Sequence, residues 1–320
     1  MQVDATKNLC YHCAEINDLK NNLINKVSNS DENGRKPCKK KAKKGKIVRM
    51  KRFFKLLPLL VCVFFLSIFG YYYQMQEKLI FRAVALDKDY QYSFKAPFEE
   101  VNLTMHNGDT VNAIHFFSKD PKGVIYYLHG QGENLSHWGV RAEEYVSYGY
   151  DVFVIDYRGF GKSTNNLTEL NLMKDAIAGY KYLENRYNEQ DIIVHGVSLG
   201  TAMASYIVTH HTPKMCILVS PYFNMIETAH YNKPILPRWV LKVILKYHLR
   251  TDEWIGNAKC PLYIFHGTDD RLIPYAQSEM IMAKLEGTEV DSTLFTLEGC
   301  GHNALHKNEV YINEVESLLR

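Results

Sequence analysis

Downstream of residue 120 the chain repeats one pattern. Short runs rich in β-branched and aromatic residues (124–128, 152–155, 192–194, 215–219, 262–265 and 293–297) alternate with stretches that have helical spacing. In 170–187, for example, Leu172, Met173, Ala176, Ile177, Tyr180 and Leu183 fall three and four residues apart. A strand that is apolar at every position is buried on both faces, and a helix between consecutive strands is the crossover that parallel pairing requires. The pattern therefore predicts an α/β fold with a mostly parallel sheet and helices on both faces. Ahead of it, 99–105 and 109–117 flank His106-Asn107-Gly108, where the Asn-Gly pair marks a hairpin turn and adds an antiparallel opening.

The N-terminal part has a different composition. Of 320 residues, the first 55 hold fifteen Lys/Arg against five Asp/Glu, and the remaining body holds 23 basic against 30 acidic residues. A mildly acidic body without a basic stripe argues against a nucleic-acid partner. Between Gly34 and Lys55 twelve residues are basic and none is acidic, a run expected to be solvated and disordered. Residues 56–73 follow, eighteen positions without a charge. At about 1.5 Å per residue they reach about 27 Å, close to the hydrocarbon thickness of a bilayer. Pro58 is expected in the first turn of this segment, where a missing N–H costs little, and Tyr71, Tyr72 and Tyr73 suit an aqueous interface. Bulky Phe69, Tyr71 and Tyr72 stand where a signal peptidase would need small residues, so an uncleaved anchor is expected. The basic flank places residues 1–55 on the cytoplasmic side and the body across the membrane, in a periplasmic or extracytoplasmic location. Met50 opens a complete basic-then-apolar leader of its own and is an alternative start.

The expected organisation is thus a tail (1–55), a transmembrane anchor (56–73), a linker (74–94) and a body (95–320) with an insert at about 222–259. The seven cysteines show no framework spacing; Cys10 and Cys13, with His12 and Cys38 nearby, lack the second ligand pair of a zinc site. No metal and no organic cofactor is expected.

Residues that carry chemistry cluster at predicted strand ends. Gly196-Val197-Ser198-Leu199-Gly200 follows one strand and opens a helix, the context in which a serine on a tight turn projects its hydroxyl above a sheet. Serine needs a base, and the base needs an acid to orient it. The loop after 262–265 offers Asp269 and Asp270, and the loop after 293–297 offers His302 between flexible glycines. The loop after 124–128 reads His129-Gly130-Gln131-Gly132, whose backbone can approach an oxyanion. Gly159, Gly161, Lys162 and Ser163 lack phosphate-loop spacing and read as a structural turn.

Together, His129-Gly130, Asp156-Tyr157-Arg158-Gly159-Phe160-Gly161, Gly196-Val197-Ser198-Leu199-Gly200, His266-Gly267-Thr268-Asp269-Asp270 and Gly301-His302 resemble the α/β-hydrolase superfamily, in its single-pass, esterase-like or serine-aminopeptidase-like branch. The resemblance covers about residues 95–320. It implies an α/β-hydrolase fold with a small helical cap in the insert, Ser198 as nucleophile, His302 as base and Asp270 as acid, with Asp269 adjacent. The backbone N–H groups of Gln131 and Leu199 would form the oxyanion hole; Gln131 stands where the family usually has Asn, but the backbone is what is used. The implied function is a membrane-anchored serine hydrolase acting on a small acyl substrate (an ester, thioester or lysophospholipid). Peptidase activity on the same fold, or a tethered binding protein without turnover, are the alternatives.

Overall fold

The computed structural model describes residues 38–320, so Cys10, His12, Cys13 and the tail before residue 38 lie outside the described residues. The chain separates after Ile68 into two units. Helix α1, Cys38–Ile80, runs through that boundary and contains Pro58. It starts inside the basic run that composition marked as a disordered tail, because Lys, Arg and Ala are good helix formers once a helix exists to extend. Pro58 accordingly lies in the helix interior and not in a first turn, and its missing N–H removes one rung of the ladder. Within α1, Lys55–Ile80 is long and apolar enough to cross a membrane, and its most apolar eighteen-residue stretch is not buried.

In the unit Phe69–Arg320, eight strands form one sheet among the described residues, in the order β1-β2-β4-β3-β5-β6-β7-β8. The hairpin β1 (Phe98–Thr104) and β2 (Thr110–Phe116) turns through Gly108, and β2 lies antiparallel to β4 (Asp151–Ile155). All further pairings are parallel: β3 (Val124–Leu128), β5 (Ile192–Val197), β6 (Met215–Val219), β7 (Leu262–Gly267) and β8 (Ser292–Leu297). The continuous apolar runs are explained by this arrangement. In β3, Val124, Tyr126 and Leu128 enter one core layer, and Ile125 and Tyr127 enter the other.

Helices α3 (Glu169–Glu184), α4 (Gly200–His210) and α8 (Ala276–Leu285) cover the first layer; α2 (Leu135–Ala142) and α9 (Glu309–Leu319) cover the second. The insert between β6 and β7 contains α5 (Met225–Asn232), α6 (Arg238–Ile244) and α7 (Thr251–Trp254). Thr251 and Ile255 are buried on the body, whereas α6 leaves Trp239 and Val243 exposed. Residues 81–94 are packed against the body and do not form a free linker. Phe81 is fully buried, and Ala83 and Ala85 bridge to Glu133 and Gly161.

Candidate active site

Parallel strands deliver their C-terminal ends to one edge, and the residues singled out in the sequence meet there. Ser198 follows β5 with φ +50°, a left-handed conformation for a non-glycine residue. Its N–H continues the sheet pairing to Val219 O (2.8 Å), and its carbonyl accepts from Thr201 N (3.0 Å) and Thr201 Oγ1 (2.6 Å). These bonds hold the strain in place. Gly200 lets α4 begin so close to β3: a Cβ there would lie 2.0 Å from Leu128 O.

His302, after β8, directs Nε2 to Ser198 Oγ at 3.1 Å and Nδ1 to Asp270 Oδ2 at 2.6 Å. A carboxylate only accepts, so Nδ1 carries the proton and Nε2 presents its lone pair to the serine hydroxyl. The carboxylate against His302 is that of Asp270. Asp269 is exposed, at an open depression of about 530 Å³ that it lines with Arg271, Leu272, Gly301 and His302.

Asp270 is buried, which by itself pushes its pKa up. Hydrogen bonding to His266 and His302 and the N–H of Ile273 outweigh burial and hold the carboxyl well below the usual carboxylate range. Leu272 N and Ile273 N each reach Asp270 Oδ1 at 2.9 Å. His266 was part of the sequence motif without a role. Its Nε2–H donates to Ile273 O (3.0 Å) and faces Asp270 Oδ2 at 3.3 Å, while its Nδ1 accepts from Ser278 Oγ (2.6 Å). Its place at the end of β7, four residues before Asp270, was the available signal.

The loop after β3 lies against Ser198: a Cβ on Gly130 would stand 3.5 Å from Ser198 Cβ and 3.0 Å from the Trp138 ring. His129 is buried, and its Nδ1 donates to Gly130 O at 2.8 Å. The carbonyl of Gly130 and the N–H of Gln131 belong to one trans peptide and point in opposite directions. Fixing the carbonyl therefore orients the N–H. His129 Nε2 faces Asp156 Oδ1 at 3.5 Å, and burial raises the Asp156 pKa despite His129. Trp138 Nε1 to Gly132 O (2.9 Å) and Gly132 N to Phe81 O (2.7 Å) pin the rest of the loop. Among the described residues the N–H groups of Gln131 and Leu199 have no acceptor. Leu199 also opens α4, where the helix dipole favours negative charge.

Among the described residues, donor atoms converge as metal ligands would at Glu184, Glu189 and His211, at the far end of α4 from Ser198. There His211 Nδ1 pairs with Glu184 Oε1 at 3.0 Å, and Glu189 accepts from Thr212. Lys162, in the glycine-rich turn, pairs with Glu100 at 2.9 Å.

Comparison with known proteins bears on the fold and the family. A family model described as serine aminopeptidase, S33, matches residues 119–253. Human "Protein ABHD12B" is 30% identical over 224 residues, covering 63% of this chain and 61% of that protein. The zebrafish (Danio rerio) "Lysophosphatidylserine lipase ABHD12" is 28% identical over 221 residues, covering 62% and 58%. The chain thus spans about three-fifths of the length of these curated relatives. Among solved structures, a Pyrococcus furiosus esterase superposes with a TM-score of 0.58 at 17% identity, covering 75% of this chain and 96% of its own. An acylaminoacyl peptidase gives 0.57 at 16% identity, covering 71% and 42%. The sheet order, the crossover helices and these likenesses make the chain a member of the α/β-hydrolase superfamily.

Proposed function

We propose that the protein is a membrane-anchored serine hydrolase that cleaves acyl esters of the lysophospholipid kind. The observation that carries this reading is the line from Ser198 Oγ to His302 Nε2 (3.1 Å) and from His302 Nδ1 to Asp270 Oδ2 (2.6 Å). Ser198 Oγ attacks the acyl carbonyl carbon and its proton passes to His302 Nε2. Asp270, kept ionised, holds the ring in the required tautomer and stabilises the imidazolium. The charge on the tetrahedral oxygen falls to the N–H groups of Gln131 and Leu199. Collapse breaks the C–O bond to the leaving group, which takes the proton from His302, and an acyl-Ser198 ester remains. Water, deprotonated by His302, then hydrolyses that ester, releases the acid and restores the serine.

The lipid substrate class is supported by the zebrafish relative's name and by the apolar helix that leads into the body. The basic residues ahead of that helix favour a cytoplasmic N-terminal side and a body on the opposite side. Peptide hydrolysis is the second reading, supported by the family model that matches 119–253. Paired assays with p-nitrophenyl acyl esters and aminoacyl p-nitroanilides separate the two. Ester turnover should dominate and should fall by several orders of magnitude in Ser198→Ala and in His302→Ala, leaving at most about 10³ to 10⁴-fold over water from the oxyanion donors and binding. Near wild-type rates in either variant would refute the proposed roles.

A further inference from the structure

The insert exposes an apolar face beside the end of α1. Trp239 and Val243 lie four residues apart on α6, hence on one side of it, and are 73% and 75% exposed; Ile235, just before the helix, is 88% exposed. Exposure of three large apolar side chains on one short segment needs an explanation.

The segment is tied to the last turns of α1. Gln76 Nε2 donates to Ile244 O and Gln76 Oε1 accepts from Lys246 N, both at 2.8 Å. Tyr247 OH donates to Glu77 Oε1 at 3.1 Å, and Lys246 Nζ stands 4.7 Å over the Tyr73 ring. Gln76 lies three residues past Tyr73, about 4.5 Å along the helix axis. The segment is therefore held at the level of the Tyr71–Tyr73 cluster, the place where a spanning helix meets the headgroups. From Lys233 to Lys246 the chain has four cations, with Arg238 and Lys242 as the other two, and no acidic residue. Arg238 is bonded to Glu227 at 2.7 Å. Apolar side chains rimmed by cations describe a helix that lies in a bilayer interface.

We infer that the face formed by Ile235, Trp239 and Val243 is seated in the headgroup region of the same bilayer that α1 crosses, so that the insert rests on lipid. This rests on reading α1 as a membrane span. It has a consequence for the site. Asn232 Nδ2, at the end of α5, donates to Leu272 O at 3.2 Å, and Leu272 N in turn holds Asp270. A seated insert brings the depression beside His302 to the lipid surface, where a single-chain lipid can enter without crossing water.

The test uses the full chain in phosphatidylcholine–phosphatidylglycerol vesicles whose phosphatidylcholine is brominated high in the acyl chain, a quencher of tryptophan within contact distance. Trp138 and Trp254 are packed into the body and Trp239 is not. Bromolipid should quench the wild type, Trp239→Phe should lose that quenching, and adding Ile235→Trp to Trp239→Phe should restore it. Quenching that is absent, or unchanged by Trp239→Phe, in protein that resists carbonate extraction would overturn the seated face and leave the anchor standing. Release of the protein by carbonate would overturn the anchor and this inference with it.

Discussion

Ser198 carries the backbone cost of the site. A left-handed residue with a side chain costs on the order of 1–3 kcal/mol, and it persists here because Val219, Thr201 and the close start of α4 leave no relaxed alternative. The proposed acid is likewise distinguished by its surroundings. Asp270 has two N–H donors, His266 and His302 around it, whereas Asp269 has a backbone bond to Cys300 O and a side chain at the rim. Asp270→Asn should therefore lower kcat by about 10⁴-fold, as removal of an orienting carboxylate does. Asp269→Asn, a surface change worth about 0.5 kcal/mol, should alter it about twofold. The reverse ranking in steady-state kinetics would move the acid one residue upstream.

At the scale of elements, much was legible because strand ends are announced by composition. The apolar runs stop at Leu128, Val197, Gly267 and Leu297, and the residues with chemical potential come directly afterwards. Residues 81–94 were not legible. Their charges are balanced and they lack a period, so they read as linker, yet their contact with the loop at 131–134 is made largely by backbone. Phe81 O accepts from Gly132 N, and Val84 N donates to Glu133 O. Main-chain pairing of this kind leaves no pattern in side chains. The orientation of Gln131 through His129 escaped for a related reason, since a buried histidine reads the same whether it packs or positions.

Two truncations separate these roles. Removing residues 1–73 takes away the apolar helix but keeps Gln76, Glu77 and Phe81, and should give a soluble enzyme with near-normal turnover of a short ester. Removing 1–94 also strips Phe81 from the core and the acceptor from Gly132, and should abolish turnover. Equal activity of the two purified fragments would show that the 81–94 segment is dispensable.

Across the whole molecule, buried histidines make stability depend on pH. Burial holds His195 at about 3 and His115 at about 4, against an ordinary value of 6.5. Their unfolded forms take up protons that the native forms refuse, so stability is present above about pH 6.5 and is lost as pH falls toward 3–4. Asp270 adds to the loss at lower pH, since a carboxyl with a depressed pKa contributes above the ordinary value of 3.8 and ceases to as pH falls through the native one. The Tm in detergent should thus drop steadily on acidification. His195→Phe should flatten the drop, because the hydroxyls of Tyr145 and Tyr311 still bond each other at 2.8 Å. An unchanged slope in that variant would contradict the assignment of the effect to His195.

A fluorophosphonate probe reports on the proposed activation of Ser198 by His302 without knowledge of the natural substrate. Intact-mass measurement followed by peptide mapping should find one covalent phosphonate on Ser198, absent from Ser198→Ala and slowed by orders of magnitude in His302→Ala. A folded wild-type protein that takes up no label, or an adduct mapped to any other residue, would rule out Ser198 as the activated nucleophile.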